Sequence, residues 1–365
     1  MRTFAKVLAV SSVAALALTG CGRSDTTTTS PGSTAGGAAA GFPANSVIGV
    51  ALPQKTSENW VLAEKLFNDG LKSAGFTADV QFANGGVTEQ QNQISSMVTK
   101  GAKVIVVGAI DGKQLGTQLQ SAKDSGATII AYDRLVLDTQ AVDYYAAFDN
   151  FKVGVLQGTA LLDGMKAKKA NGPYNIELFA GSPDDANAKV FFDGAMSVLT
   201  PKIADGTLKV VSGQKDFTQV VTQGWKPENA QKRMDTLISA NYTTATVDGV
   251  LSPNDTLARA IITSVKQAGK PIPVVTGQDS EVDSVKSIMA GEQYSTINKD
   301  TTKLVAATIE MIKALQTGAK PTTTDTTSYN NGVKVVPANL LPPVIVTKAN
   351  AAEAYAGTSL EQYTK

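Results

Sequence analysis

Lys103–Asp133 reads KVIVVGAIDGKQLGTQLQSAKDSGATIIAYD. Its opening run, KVIVVGA, is β-branched and uninterrupted by charge, the pattern of a strand buried on both faces. KQLGTQLQSAKDSG follows with helical spacing, and ATIIAYD is a second apolar run. Strand, helix, strand is one βαβ unit, the connection that parallel strands require.

The unit repeats on either side. Upstream, SVIGVAL reads as a strand, NWVLAEKLFNDGLKSAG as a helix closed by Gly75, TADVQFA as a strand and TEQQNQISSMVTKG as a helix. A second series begins after VDYYAAFDN. There FKVGVLQGTALLDGMKA, NAKVFFDGAMSVL, PENAQKRMDTLISAN, DTLARAIITSVKQAG and EVDSVKSIMAG read as helices. Between them YNIELFAG, TLKVVSG, ATVDGVLS, PIPVVTG and QYSTIN read as strands. The pattern predicts α/β architecture with doubly wound parallel sheets in two lobes, because single cores stop growing near 250–300 residues. The last long helix, DTTKLVAATIEMIKALQTG, is expected to return to the first lobe.

The first forty residues stand outside that pattern. Arg2 and Lys6 precede a short apolar run, Val7–Leu18, as in a secretory signal of residues 1–20. It ends in Leu18-Thr19-Gly20-Cys21, which is similar to the bacterial lipobox, so Cys21 is expected to become the lipidated first residue of the mature chain. Residues 21–43, rich in Thr, Ser, Gly and Ala, read as a flexible tether. The expected location is the outer face of the cell membrane, reached by export and held by lipid. Cys21 is the only cysteine, which leaves no internal disulfide. Without Arg2 and Lys6 the chain has 31 basic and 32 acidic residues, a net of −1, which argues against a nucleic-acid partner. It also has no histidine, which excludes Ser-His and Cys-His catalysis and His-ligated metals.

Ligands of open α/β sheets bind beyond the carboxyl ends of the strands. Those positions hold Glu58, Asn59 and Trp60; Asp133 and Arg134; Asp185 and Asn187; Asn254 and Asp255; Asp279; and Lys299. Asp and Asn are common at such places as helix caps, and Asp255 reads as one, with Asp184 a second candidate. Phe179–Phe192, FAGSPDDANAKVFF, concentrates the question, since two aspartates and an asparagine there suit a metal, a hydrolytic water, a phosphate or a polyol. Trp60 and Trp225 add flat apolar faces in polar surroundings. Rings beside forked hydrogen-bonding groups suit a sugar, whose C–H faces stack while adjacent hydroxyls take paired bonds. Asp184 and Asp185 are adjacent and diverge, a poor pair for glycoside hydrolysis, but a different pair such as Asp185 with Asp279 leaves a glycoside-processing enzyme as an alternative. No G-x-G-x-x-G follows the first strand, and no EF-hand-type loop is present.

IDGKQL, AYDRL, YYAAFDNFKVGVLQ, NIELFAGSPDDANA, FFDGAMSVL, LSPNDTLA, TGQDSEVDSVKSIMAGEQYSTINKD and NNGVKVVPANLLPP together resemble the multiple-monosaccharide and D-xylose-binding proteins, sugar-capturing subunits of bacterial ABC importers. The resemblance runs from Ser46 to about Asn350. It implies the type I periplasmic-binding-protein fold, two Rossmann-like lobes joined by crossover strands near Asp149 and Lys299. The first lobe would comprise 44–149 plus about 299–328, the second 150–298 plus about 329–365. It also implies a non-catalytic, cofactor-free, metal-free monomer that captures an aldose such as galactose, glucose, arabinose or xylose and delivers it to an ABC permease and its ATPase. A sensor that passes its closed form to a receptor fits the same residues.

Carried over motif by motif, the sugar ligands would be Asp133 and Arg134 of YDR, Asp185 and Asn187 of SPDDANA, and Trp225. Asn254 of SPND, Asp279 of GQD and Lys299 complete that set, with Ser182, Pro183 and Asp184 forming the turn that aims its second pair. At the first strand end the resemblance departs: Asn59-Trp60 stands where such proteins tend to have Arg-Trp. A neutral amide for a forked cation implies a preference for neutral aldoses over sugar acids.

Overall fold

The computed structural model describes residues 41–365 other than residue 56, so the signal, Cys21 and almost all of the tether lie outside the described residues. The chain opens with β1 (Val47–Leu52), α1 (Glu58–Ser73), β2 (Thr77–Phe82), α2 (Val87–Thr99), β3 (Val104–Val107), α3 (Gly116–Asp124), β4 (Thr128–Tyr132) and β5 (Tyr144–Phe148). A second run follows: α4 (Asn150–Lys168), β6 (Tyr174–Leu178), α5 (Ala186–Ala204), β7 (Leu208–Val210), a single turn α6 (Phe217–Val220), α7 (Pro227–Asn241), β8 (Gly249–Leu251), α8 (Asp255–Gln267), β9 (Val274–Val275) and α9 (Val282–Ala290). The chain ends with β10 (Ser295–Asn298), α10 (Thr301–Gln316), β11 (Ala338–Leu341), β12 (Val344–Thr347) and the short α11 (Ala351–Ala354).

Two parallel sheets result, ordered β11-β5-β4-β3-β1-β2 and β7-β6-β8-β9, each doubly wound as the βαβ pattern predicted. The four residues of β3 are fully buried because helices cover both faces of its sheet. On one face Trp60, Phe67 and Leu71 of α1 pack with Leu304, Val305 and Ile312 of α10, so the last long helix does return to the first lobe. β9 is only two residues long although PIPVVTG is apolar, since Pro271 and Pro273 have no N–H for a ladder.

The C-terminal boundary differs from the expected one. β11 pairs in parallel with β5 in the first sheet, and the buried Asn331 donates to Val136 O and Thr139 O of the first lobe. Residues 329–341 therefore pack with the first lobe, and the chain reaches the second only at β12, antiparallel to β10. NNGVKVVPANLLPP has no periodicity that names its partner, since the pairing is made across nearly two hundred residues.

In the second lobe α4 and α5 cross at glycines. A Cβ on Gly154 would lie 2.0 Å from Phe191 O, and one on Gly194 2.2 Å from Phe151 O. This close approach sets where the N-terminus of α5 emerges, at the boundary between the lobes.

Candidate functional site

Asn59, Trp60, Asp133, Arg134, Asp185, Asn187, Trp225, Asn254, Asp279 and Lys299, predicted from six separate strand ends and one loop, all line one cavity between the two sheets. Each arrives by a local device. Asn59 and Trp60 lie in the first turn of α1, Asp133 and Arg134 just past β4, and Asp185 and Asn187 at the start of α5. Trp225 ends a 3₁₀ turn, Asn254 caps α8, and Asp279 and Lys299 follow β9 and β10.

Asp185 is the centre of this arrangement. It caps α5 by accepting from Asn187 N at 2.9 Å, and it accepts from Trp225 Nε1 at 3.1 Å. Arg134 Nε lies 2.9 Å from its Oδ2, an ion pair across the lobe boundary with both side chains buried. That N–H is not aimed along the contact and has no in-line acceptor among the described residues, while Nη1 donates to Ala109 O at 3.0 Å. Burial raises the Asp185 pKa above the ordinary carboxylate value; the Arg134 charge and the Asn187 N–H oppose the rise. The ring of Trp60 lies under the guanidinium, with Arg134 Cζ 5.3 Å from its centroid.

Gly181 makes room for the second indole: a Cβ there would fall 2.1 Å from Trp225 Cη2. Ser182 Oγ accepts from Gly224 N at 2.7 Å, so the Gly-Ser-Pro turn holds the Trp225 turn as well as aiming Asp185. Asp279 pairs with Lys299 at 3.0 Å, and Lys299 Nζ stands 5.3 Å from the Phe191 ring centroid. Burial works against the Lys299 ammonium, but Asp279, Asp133 and Asp185 together keep its pKa above the ordinary lysine value.

Two predicted ligands are occupied by the protein. Asn187 donates to Asp133 O at 2.8 Å and accepts from Asn150 Nδ2 at 3.0 Å and Tyr145 OH at 3.2 Å. Its amide is spent on joining the lobes. Asn254 Oδ1 accepts from Leu257 N at 3.0 Å, which leaves Nδ2 as its cavity-side group. Asp255, read as the cap, sits one residue inside α8 and is wholly buried; Asn254 is the cap because its backbone is extended. At α5 the cap is Asp185, not Asp184, for the same reason.

Sequence reasoning missed Gln278, Phe191, Phe148 and Thr301, which also line the cavity. Phe191 reads as one more apolar position on α5, and only the crossing with α4 turns it to the site. A further signal is backbone strain: Asp133, Trp225 and Asp279 have φ of 59°, 55° and 98°. Non-glycine residues keep such dihedrals where the surroundings over-determine them, often at ligand sites.

Fold and cavity together describe a two-lobed α/β protein with a polar, aromatic-lined cavity at the lobe junction. Residues 48–320 match the periplasmic binding protein domain family, and the chain belongs to it. It is a binding protein, not an enzyme. It is 52% identical over 308 residues to the multiple sugar-binding periplasmic receptor ChvE of Rhizobium radiobacter, covering 83% of this chain and 87% of that one. It is 37% identical over 304 residues to the D-xylose-binding periplasmic protein of Escherichia coli (strain K12), with 83% and 87% covered. An ABC transporter solute-binding protein from Clostridium phytofermentans, solved with bound β-D-glucose, superposes with a TM-score of 0.83 at 39% identity, covering 87% of this chain and 100% of that one.

Proposed function

We propose that the protein captures a monosaccharide outside the cytoplasm, closes its lobes over it, and delivers it to an ABC importer. The observation that carries this is the cavity itself: two indole rings and a set of forked hydrogen-bonding groups contributed by both lobes. Stacking faces and directed polar groups around one small space are what a pyranose or furanose ring requires. Groups from both sides also provide the differential affinity that drives closure. Micromolar capture needs about 8 kcal/mol, within reach of two stacking rings and several charge-assisted bonds after association costs. The names of the relatives, and the glucose in the solved neighbour, support the sugar class.

Charge narrows the class to neutral aldoses. Arg134 and Lys299 are each matched by an aspartate, Asp133 adds a third carboxylate, and Asn59 is neutral. A ligand carboxylate would meet no unmatched cation among the described lining residues. In titrations followed by the fluorescence of Trp60 and Trp225 and by calorimetry, galactose should bind at least about tenfold tighter than galacturonate. The reverse order would reject the neutral-sugar assignment, and no response to any aldose would reject sugar capture. Trp225→Ala should weaken aldose binding by about thirtyfold or more, as expected for a buried aromatic anchor.

The mature protein is further proposed to act as a monomer tethered through lipidated Cys21. Cys21→Ser should move it from the membrane to the soluble fraction; unchanged fractionation would dismiss the anchor.

A further inference from the structure

Asp279 and Ser280 are successive non-glycine residues with φ of 98° and 56°. L-residues avoid such backbone, and it persists where neighbouring bonds leave no alternative. Three of those bonds are local to the lobe floor. Asp279 N donates to Ile297 O at 2.9 Å, Ser280 N to Thr296 Oγ1 at 3.2 Å, and Glu281 N to Asp255 Oδ2 at 3.0 Å. The fourth comes from 75 residues away in the chain: Tyr355 OH donates to Ser280 Oγ at 2.6 Å.

Tyr355 is not a surface residue that happens to reach this loop. It is 1% exposed, and it forms a small apolar cluster with Val285 of α9, Val346 of β12 and Ala351 of α11. The ring is thus held by packing, and its hydroxyl is delivered to Ser280, the residue next to the strained Asp279 and two before the start of α9. The Asp279 carboxylate, on the other side of the same backbone, faces the cavity and Lys299.

We infer that Tyr355 is a positioning residue of the binding site: through Ser280 it holds Asp279 in its cavity-facing pose, which makes the C-terminal segment part of the ligand-binding machinery. The inference rests on the sugar-capture reading for its ligand, but not for the geometry it describes. Tyr355→Phe keeps the ring and its packing and removes only the hydroxyl.

The full mature chain carrying Tyr355→Phe should bind its aldose, with glucose and galactose as probes, about three- to tenfold more weakly, the scale of one net hydrogen bond. In an Asp279→Asn background the same change should add less than about twofold, because residues acting through one group are not additive. Without sugar, amide exchange across residues 278–282 should quicken in Tyr355→Phe. A merely structural role would lower the melting temperature and leave both affinity and the coupling untouched. Wild-type affinity in Tyr355→Phe, or an equal loss in both backgrounds, would overturn the inference. If the unmodified protein binds no aldose, sugar capture is rejected and the exchange data decide alone. Faster exchange then upholds the hold on Asp279, and unchanged exchange refutes it.

Discussion

Asp255 shows how a single side chain beneath the cavity is kept in place. Its carboxylate accepts from Gln293 Nε2 at 2.8 Å, Thr296 Oγ1 at 2.9 Å and Glu281 N at 3.0 Å. Gly277 leaves the space, since a Cβ there would lie 2.1 Å from Asp255 Oδ1. Burial, then the charges of Glu281 and Asp279, raise its pKa well above 3.8, against the Gln293 and Thr296 bonds. The neighbouring cations are engaged elsewhere, Arg259 with Glu281 at 2.7 Å and Lys299 with Asp279. For a raised acid the folded chain holds its proton longer than the unfolded chain. The contribution to stability is therefore greatest at low pH and declines as pH rises from the ordinary carboxylate value through the raised one. Asp255→Asn removes that titration. Whatever its fixed offset from imperfect hydrogen bonding, it should gain stability relative to wild type between pH 5 and 7.5. Urea unfolding at the two pH values measures this, and a constant difference would contradict it.

At the scale of elements, the crossing of α4 on α5 governs the site more than any one ligand does. α5 brings Asp185, Asn187 and Phe191, and α4 begins with Asn150, which donates to Asn187 Oδ1. Adding a methyl at Gly154 must push against the backbone of the partner helix, not a flexible side chain. Gly154→Ala should cost about 1–3 kcal/mol, the usual range for overpacking. It should also weaken aldose binding, because the N-terminus of α5 moves with the crossing. A lowered urea midpoint with unchanged affinity would separate the helix crossing from the site. GVLQG and FFDGA show where the glycines are, but not that they face each other. Helical periodicity reports a buried stripe, whereas the partner of that stripe lies about forty residues away.

At the scale of the whole molecule, the lobes are held together by a few bonds outside the ion pairs. Gly112 N donates to Asp184 O at 3.1 Å and Asn187 Nδ2 to Asp133 O at 2.8 Å. At the start of α1, Glu58 Oε2 accepts from Val282 N at 3.0 Å, so a carboxylate of the first lobe sits on the positive end of α9 in the second. Because this bond joins the lobes, it favours the closed arrangement over an open one. Glu58→Gln should weaken aldose binding about two- to fivefold, mainly by faster dissociation, with little effect on unfolding of the sugar-free protein. Stopped-flow fluorescence separates the two rates; an unchanged dissociation rate would remove Glu58 from the closure.

Element order, the doubly wound class of both sheets and the strand ends that carry polar groups follow from local pattern. A buried parallel strand, its crossover helix and its loop each leave a signature within a dozen residues. That is why the strand ends could be located before their geometry was known, while the choice of the ten candidate ligands among and beside them came from the family resemblance. What each side chain does in the cavity is a matter of long-range contacts. The amide of Asn187 is consumed by Asp133, Asn150 and Tyr145, and Asp185 orients Arg134 and Trp225. Asp255 is buried rather than a cap, β11 returns to the first lobe, and Tyr355 reaches Ser280. These partners are far apart in the chain and close only once two cores have formed. No local preference encodes that distance, whereas packing and the satisfaction of buried polar groups do.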